Sequence, residues 1–499
     1  MRIKRWLLLA TLVSFGLHIG LAQERTLTIG LDADPPNLDP AVSSALVDRQ
    51  VQNQIYGKLV DIDTNLKIVP DLATSWKISD LGLQYTFTLR QGVNFQDGTP
   101  FNASAVKFNL ERYITLETSR RKGELAAVKE IKVLSENQVQ INLKYQFAPL
   151  LAVLSDRSGM MVSPAAAEKF GKDLTNNPVG TGPFKFVERK RQDRIVLEAY
   201  AGYWDAKNRP RFDKVIYRPF ADGDVRAANL LSGAIQIMTP VDPKDLKTLE
   251  SGSKTKLATF AGLGFQGIWL NNARAPFSSK ALRQAFAATL DRETVDRVVF
   301  LGSVTPAASV FPPNSPVYDP QLKVPAQNLE LAKKKLAEGG QPKGFTFTLL
   351  TTPGPVPTQL AQLYQAFAAS AGMTLKIEQV EFGTLLARAD KKDFDAMALG
   401  WSGRTDPDGN IFDFFTTGGP SNYGSYSNKK VDGLLLLARQ TRDLIVRKDI
   451  YSDAQKLIVE DAAYPTTYFP KITIGMLKGV NGIPLNPDGI LRLKSADLK

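Results

Sequence analysis

The stretch Gly400-Trp401-Ser402-Gly403-Arg404-Thr405-Asp406-Pro407-Asp408-Gly409-Asn410 gathers an indole, a guanidinium and two carboxylates in one loop. A guanidinium grips a carboxylate through two parallel, charge-assisted hydrogen bonds. Arg404 is therefore a candidate for an anionic group on a ligand, or for an ion pair within the protein. The ring of Trp401 suits the flat apolar wall of a pocket, or a place in the core. Ser402 and Gly403 lie between them and share the candidacy. Asp406 and Asp408 resemble part of a calcium loop, but such a loop needs Gly at its sixth position and Glu at its twelfth. Ile411 and Thr417 stand there, so a tight turn is the competing reading of Asp406 to Asn410. A second candidate loop is Thr351-Thr352-Pro353-Gly354-Pro355, which offers backbone groups to a pocket or forms a surface turn.

The elements around these loops explain why they are singled out. Phe345 to Leu349 alternates apolar and polar residues as a strand does. Thr358 is placed to cap a helix carrying Leu360, Leu363, Tyr364 and Phe367 on one side. Leu375 to Val380 reads as a second strand, Phe382 to Ala389 as a helix and Phe394 to Leu399 as a third strand. The order β-α-β-α-β implies a parallel sheet with right-handed crossovers. Ligands of such sheets bind beyond the carboxyl ends of the strands, where both loops fall. Earlier in the chain, Thr26 to Gly30, Tyr85 to Arg90 and Val139 to Leu143 read as strands. Asn102 or Ser104 can cap a helix carrying Val106, Phe108 and Leu110. Asn37, in the turn-rich segment after the first strand, either reaches a cleft or shapes a turn.

Absent residue types exclude more than present ones suggest. The only histidine among 499 residues is His18, and there is no cysteine. Ser-His-Asp and Cys-His catalysis, ordinary zinc sites and imidazole ligation of nickel or copper are excluded once the N-terminal segment is removed. No cofactor or metal is expected. Ser253-Lys254-Thr255-Lys256 and Ser427-Asn428-Lys429-Lys430 fit S-x-x-K, but the companion K-T-G is missing, as is G-x-S-x-G. A pair of carboxylates for hydrolysis stays open, since their spacing is spatial.

Arg2, Lys4 and Arg5, then an apolar stretch from Trp6 to Leu21, then Gly20-Leu21-Ala22 read as a secretory signal cleaved before Gln23. Without a cysteine after that stretch no lipid anchor can be attached, so a free periplasmic protein is expected. The formal charge is +12, but the basic residues are scattered, with no dense run or aromatic-basic motif for nucleic acid. The length asks for two or three domains.

Several segments, in order, carry a resemblance. They are Asn37-Leu38-Asp39-Pro40, Val69 to Ser79 (VPDLATSWKIS), Tyr85 to Arg112, Pro178 to Phe184 (PVGTGPF), and Leu270-Asn271-Asn272 before Pro276-Phe277 and Leu282 to Arg292. Phe394-Asp395-Ala396, Gly400-Trp401 and a helix from Asp443 to Asp461 complete the series. The chain resembles extracellular solute-binding proteins of family 5, the dipeptide, oligopeptide and nickel-binding group of ABC importers. The resemblance implies an α/β periplasmic-binding-protein fold with two hinge-linked lobes, an inserted subdomain and a ligand cleft between the lobes. It implies domain I from 23–57, 180–268 and 475–499, the inserted subdomain from 58–179 and the second lobe from 269–474, after a signal of 1–22. It implies a monomeric, non-enzymatic protein that hands a short peptide to an inner-membrane permease. Peptide binders of the family place an acidic residue shortly after Gly-Trp to hold the α-ammonium. Arg404 stands near that place here, with Asp406 two positions on. Either Asp406 takes the ammonium, or the solute offers Arg404 a carboxylate, as an opine-like acid or a metal chelate would. Phe265, near the implied hinge strand, touches ligand or packs in the core.

Overall fold

The computed structural model describes residues 24–499. The expected signal, 1–22, and His18 lie outside the described residues. Two large sheets dominate. The first has seven strands in the order Thr255–Ala261, Lys471–Leu477, Ile237–Thr239, Thr26–Leu31, Lys214–Pro219, Arg194–Ala199 and Phe184–Lys190. Its middle is parallel: Thr26–Leu31 pairs in the same direction with both Lys214–Pro219 and Ile237–Thr239. Leu27, Ile29 and Leu31 alternate onto one buried face, as a strand with one face on the core requires.

The second sheet has six strands in the order Thr305–Pro306, Thr466–Phe469, Gln266–Leu270, Ala396–Ala398, Thr346–Thr351 and Thr374–Gln379. The β-α-β-α-β unit lies here, with Thr346–Thr351 parallel to both Thr374–Gln379 and Ala396–Ala398. Its first helix is Pro355–Ser370, which starts three residues before the expected cap. Thr358 is inside the first turn, and its hydroxyl instead accepts from the Gln379 side chain at 2.7 Å. Pro355 explains the earlier start, because proline's fixed φ suits the first helical position and its missing N–H costs nothing there.

Between helix Leu46–Ile55 and strand Phe184–Lys190 a four-stranded antiparallel sheet is inserted: Ala73–Ile78, Gln84–Leu89, Gln138–Leu143 and Val128–Ser135. Helix Ala103–Thr115 covers it, capped by Asn102, whose side chain accepts from the Ala105 amide at 3.1 Å. Tyr85, Phe87, Val106, Leu110, Val139 and Ile141 form part of its own core.

The chain crosses between the two large sheets twice. One crossing runs from Ala261 to Gln266, the other at Pro470 between Phe469 and Lys471. The boundary expected at 474/475 falls inside strand Lys471–Leu477. That strand pairs with Thr255–Ala261 along its whole length, so the return to the first sheet is already complete at Lys471. Near the other end of the chain, helix Leu46–Ile55 holds the C-terminal segment. Gln50 donates to Gly489 O at 2.7 Å and accepts from Leu491 N at 2.9 Å, and Gln54 donates to Leu491 O at 2.6 Å.

Candidate ligand-binding cleft

A cavity of ≈ 550 Å³ lies between the two large sheets. Its position follows from strand direction. In the first sheet the parallel strands end at Leu31, Pro219 and Thr239, and all three residues line it. In the second sheet two of the three parallel strands end at Thr351 and Ala398, which line it, while the edge strand ends at Gln379 outside it. Two sheets thus aim their carboxyl ends at one space, which is the arrangement that makes a ligand crevice.

The second-lobe wall is built on aromatic packing. Trp269, on strand Gln266–Leu270, stacks between Phe414 and Phe415 at centroid distances of 6.1 and 5.7 Å. Phe414 in turn meets the Trp401 ring edge-on at 4.8 Å. The Trp401 indole N–H donates to Gly409 O at 3.1 Å and to Asn410 Oδ1 at 3.2 Å. Asn410 also accepts from the Arg404 amide at 2.6 Å and returns a bond to Arg404 O at 2.9 Å. One side chain therefore fixes the loop that carries Trp401. Gly403 has φ +85°, and a Cβ there would stand 2.3 Å from the Leu263 carbonyl carbon, so the turn after Ser402 demands glycine.

Of the residues expected from the sequence, Thr351, Thr352, Trp401 and Ser402 stand together in the cavity wall. The others sit elsewhere. Phe265 is fully buried among Phe414 and Tyr464 in the second-lobe core. Asn37 shapes its turn: its side chain accepts from Asp39 N at 3.0 Å and its amide donates to Asp48 at 2.9 Å. Asp406 caps the turn of Pro407–Asn410 and is held in a bidentate pair by Arg447 at 2.6 and 2.9 Å. Its charge is thereby committed within the lobe. Asp408 is likewise gripped by Arg439, at 2.7 and 3.0 Å.

Arg404 turns away from the cavity. Its Nε meets Asp156 of the inserted subdomain at 2.5 Å, with both side chains about nine-tenths buried (10% and 11% exposed). Its guanidinium also lies 4.0 Å from the Trp401 ring centroid. Arg49, from helix Leu46–Ile55, reaches the other Asp156 oxygen at 3.1 Å. Burial pushes the Asp156 carboxyl up, but the guanidiniums of Arg404, Arg49 and Arg157 outweigh it and hold the group far below the usual carboxylate range. Burial lowers Arg404 to about 9 against the opposing pull of Asp156. Arg404 is thus the second lobe's partner in an ion pair that joins all three parts of the fold.

The remaining charges of the wall are mostly acidic. Asp242 pairs with Arg226 at 3.2 Å, Asp488 with Arg492 at 3.0 Å, and Asp34 accepts from Gln192 N at 3.2 Å. Glu381 caps helix Phe382–Asp390. Asp32 follows the first strand and lines the cleft, with its side chain exposed to solvent there. The surrounding protein pushes its carboxyl above the usual range, against the pull of Arg226. Sequence reasoning missed Asp32. The carboxyl-end argument that selected Thr351 and Trp401, applied to strand Thr26–Leu31, reaches it at once. Among the described residues no cluster of carboxylates is placed to hold a metal ion, and no helix is long and apolar enough to cross a membrane.

Two sheets facing a shared, mixed polar and aromatic cavity, joined by two adjacent crossings, define a two-lobed solute-binding protein. Residues 67–423 match the family model of bacterial extracellular solute-binding proteins, family 5. The chain belongs to that family and is a substrate-binding protein of ABC importers, not an enzyme. The glutathione-binding protein GsiB of Pectobacterium atrosepticum is 30% identical, with 99% of this chain and 98% of that one covered. The periplasmic binding protein DppA of Helicobacter pylori, solved with the peptide STSA, superposes with a TM-score of 0.88 at 27% identity, over 95% of this chain and 98% of the other. AgaA of A. tumefaciens, solved with agropinic acid, gives 0.88 at 27% identity, over 95% and 99%.

Proposed function

We propose that the cleft captures a short peptide and delivers it to an ABC permease of the inner membrane. The observation that carries this reading is the cavity itself. Its ≈ 550 Å³ lies within the roughly 300–1,000 Å³ of small-ligand sites. Strand-end backbone at Thr351, Thr352 and Thr239 supplies polar groups on fixed scaffolding, and Trp401 and Tyr468 supply apolar wall. That combination reads a peptide's main chain and leaves side chains room. The glutathione named for one relative and the peptide bound by another agree with it. The competing reading, an opine-like acid or metal chelate held by Arg404, loses its anchor here, because Arg404 is occupied by Asp156.

We also take residues 1–22 as a signal that sends the protein to the periplasm, where it acts as a monomer. We read the chain as the same three parts with the return to domain I at Pro470, so that the lobes are joined by the two crossings, Ala261 to Gln266 and Pro470. Native mass spectrometry of the purified mature protein, followed by denaturing analysis of released material, tests the reading. The expected result is a bound mass that fragments as a peptide of two to four residues or so. A bound non-peptide acid overturns the peptide assignment and leaves the transport role standing.

A further inference from the structure

The junction of the three parts of the fold holds more positive charge than its own carboxylates balance. Arg49 stands on helix Leu46–Ile55, Arg121 and Arg157 in the inserted subdomain, and Arg404 in the second lobe. Asp156 serves both Arg404 and Arg49, and Glu124 takes Arg121 at 2.5 Å. Asp488 comes within 3.7 Å of Arg49 but is gripped by Arg492 at 3.0 and 3.1 Å. Arg157 is fully buried and forms no ion pair among the described residues; it donates to neutral oxygens, Gln52 Oε1 at 3.2 Å and Ala45 O. Burial pushes Asp48 and Asp413, the other buried carboxyls around the cluster, up to about 7, so each carries only part of a charge at neutral pH. Arg49 Nη1, Arg121 Nε, Arg157 Nη1 and Arg404 Nη2 are all buried without a hydrogen-bond acceptor among the described residues.

Buried guanidiniums in excess of their carboxylates are costly unless an anion joins them, and water brings no charge. None of the four arginines lines the cleft, so a solute seated there does not supply that anion. We propose that the junction is a second ligand site, which takes one small inorganic anion of the halide class, chloride foremost, against the unpartnered nitrogens of Arg157, Arg49 and Arg404. Those nitrogens are closed off from bulk solvent, which suits a small anion taken in as the lobes meet and not a larger acid. The donors come from all three parts of the fold, so the site is whole only with the lobes together. Anion binding and closure therefore favour each other.

Thermal unfolding of the solute-free mature protein at one fixed ionic strength tests this, with sodium gluconate replaced stepwise by chloride, bromide or acetate. The expected result is a saturating rise in melting temperature with chloride and bromide, roughly 2–3 °C at a hundredfold excess over the dissociation constant. Arg157→Gln strands no carboxylate and should lose most of that response, measured against its own gluconate baseline. A crystal grown in bromide should show an anomalous peak beside Arg157, Arg49 and Arg404, a readout that does not depend on how the variant folds. No saturating response in the wild type, an equal response in Arg157→Gln, or a bromide crystal with water alone at the junction overturns the proposal. A response to acetate but not to chloride or bromide overturns the halide assignment and gives the site to a carboxylate.

Discussion

Asp413 shows what a single buried carboxylate does to stability. It lies in the second lobe against Gly123 of the inserted subdomain, with Oδ1 buried and lacking a hydrogen-bond donor. Burial pushes its carboxyl to about 7, against the pull of Arg439. Between about pH 4 and pH 7 the folded protein therefore holds a proton that the unfolded chain has lost. This contribution to stability is present at low pH and falls as pH rises through that window. Asp413→Asn should flatten that fall and stabilise the protein at pH 8 by a few kcal/mol relative to wild type, in urea titrations from pH 4 to pH 8. Equal pH slopes for the two proteins would show that Asp413 finds a donor in solution. At this scale the sequence was half informative. Trp401 and Thr351 were legible because strand direction places them. The partners of Arg404 and Asp406 were not, because Asp156 and Arg447 are distant in sequence and only the packed fold brings them near.

The loop from 400 to 410 is held by internal bonds as well as by the grips of Arg447 on Asp406 and Arg439 on Asp408. Asn410 ties its two ends, and Gly403 lets it pass Leu263. Gly403→Ala should therefore cost about 1–3 kcal/mol of stability by thermal or urea unfolding, from the left-handed φ and the contact with Leu263. It should also weaken solute binding, since Trp401 moves with the loop. A variant of wild-type stability would mean that the turn has a second conformation available. Elements were the most legible level of this chain. Alternation and helical spacing located the parallel unit of the second lobe, and Asn102 announced its helix. The start of helix Pro355–Ser370 was misplaced because a threonine cap signal and a proline at the first helical position competed three residues apart, and proline's preset backbone won.

Across the whole molecule, the inserted subdomain meets the second lobe through two ion pairs and a backbone hydrogen bond. Arg404 meets Asp156, Arg120 meets Asp390, and Ala148 N donates to Arg439 O at 3.0 Å. None of these needs a solute. The closed arrangement should thus be substantially populated in the empty protein, and ligand adds to a closure already begun. Asp156→Asn leaves Arg404, Arg49 and Arg157 buried without their shared anion, at a cost of about 3–5 kcal/mol to the closed form. Small-angle scattering of the empty variant should give a larger radius of gyration than wild type, and the added Arg404→Gln should recover part of the difference. An unchanged radius would place the closing energy elsewhere. The two-lobe plan was legible in the sequence from motif order. The ion pairs that fasten it were not, since each joins segments more than two hundred residues apart.

The first sheet cannot be assembled in the order in which the chain is made. Strand Lys471–Leu477 lies between Thr255–Ala261 and Ile237–Thr239, and the Gln50 and Gln54 side chains wait for Gly489 and Leu491. The N-terminal lobe is therefore the last part to close, after the inserted and second-lobe cores have had their full sequences present. A nascent chain emerging N-terminus first carries an open-edged sheet until its final segment arrives, which keeps that half loosely folded for as long as synthesis or passage across a membrane lasts.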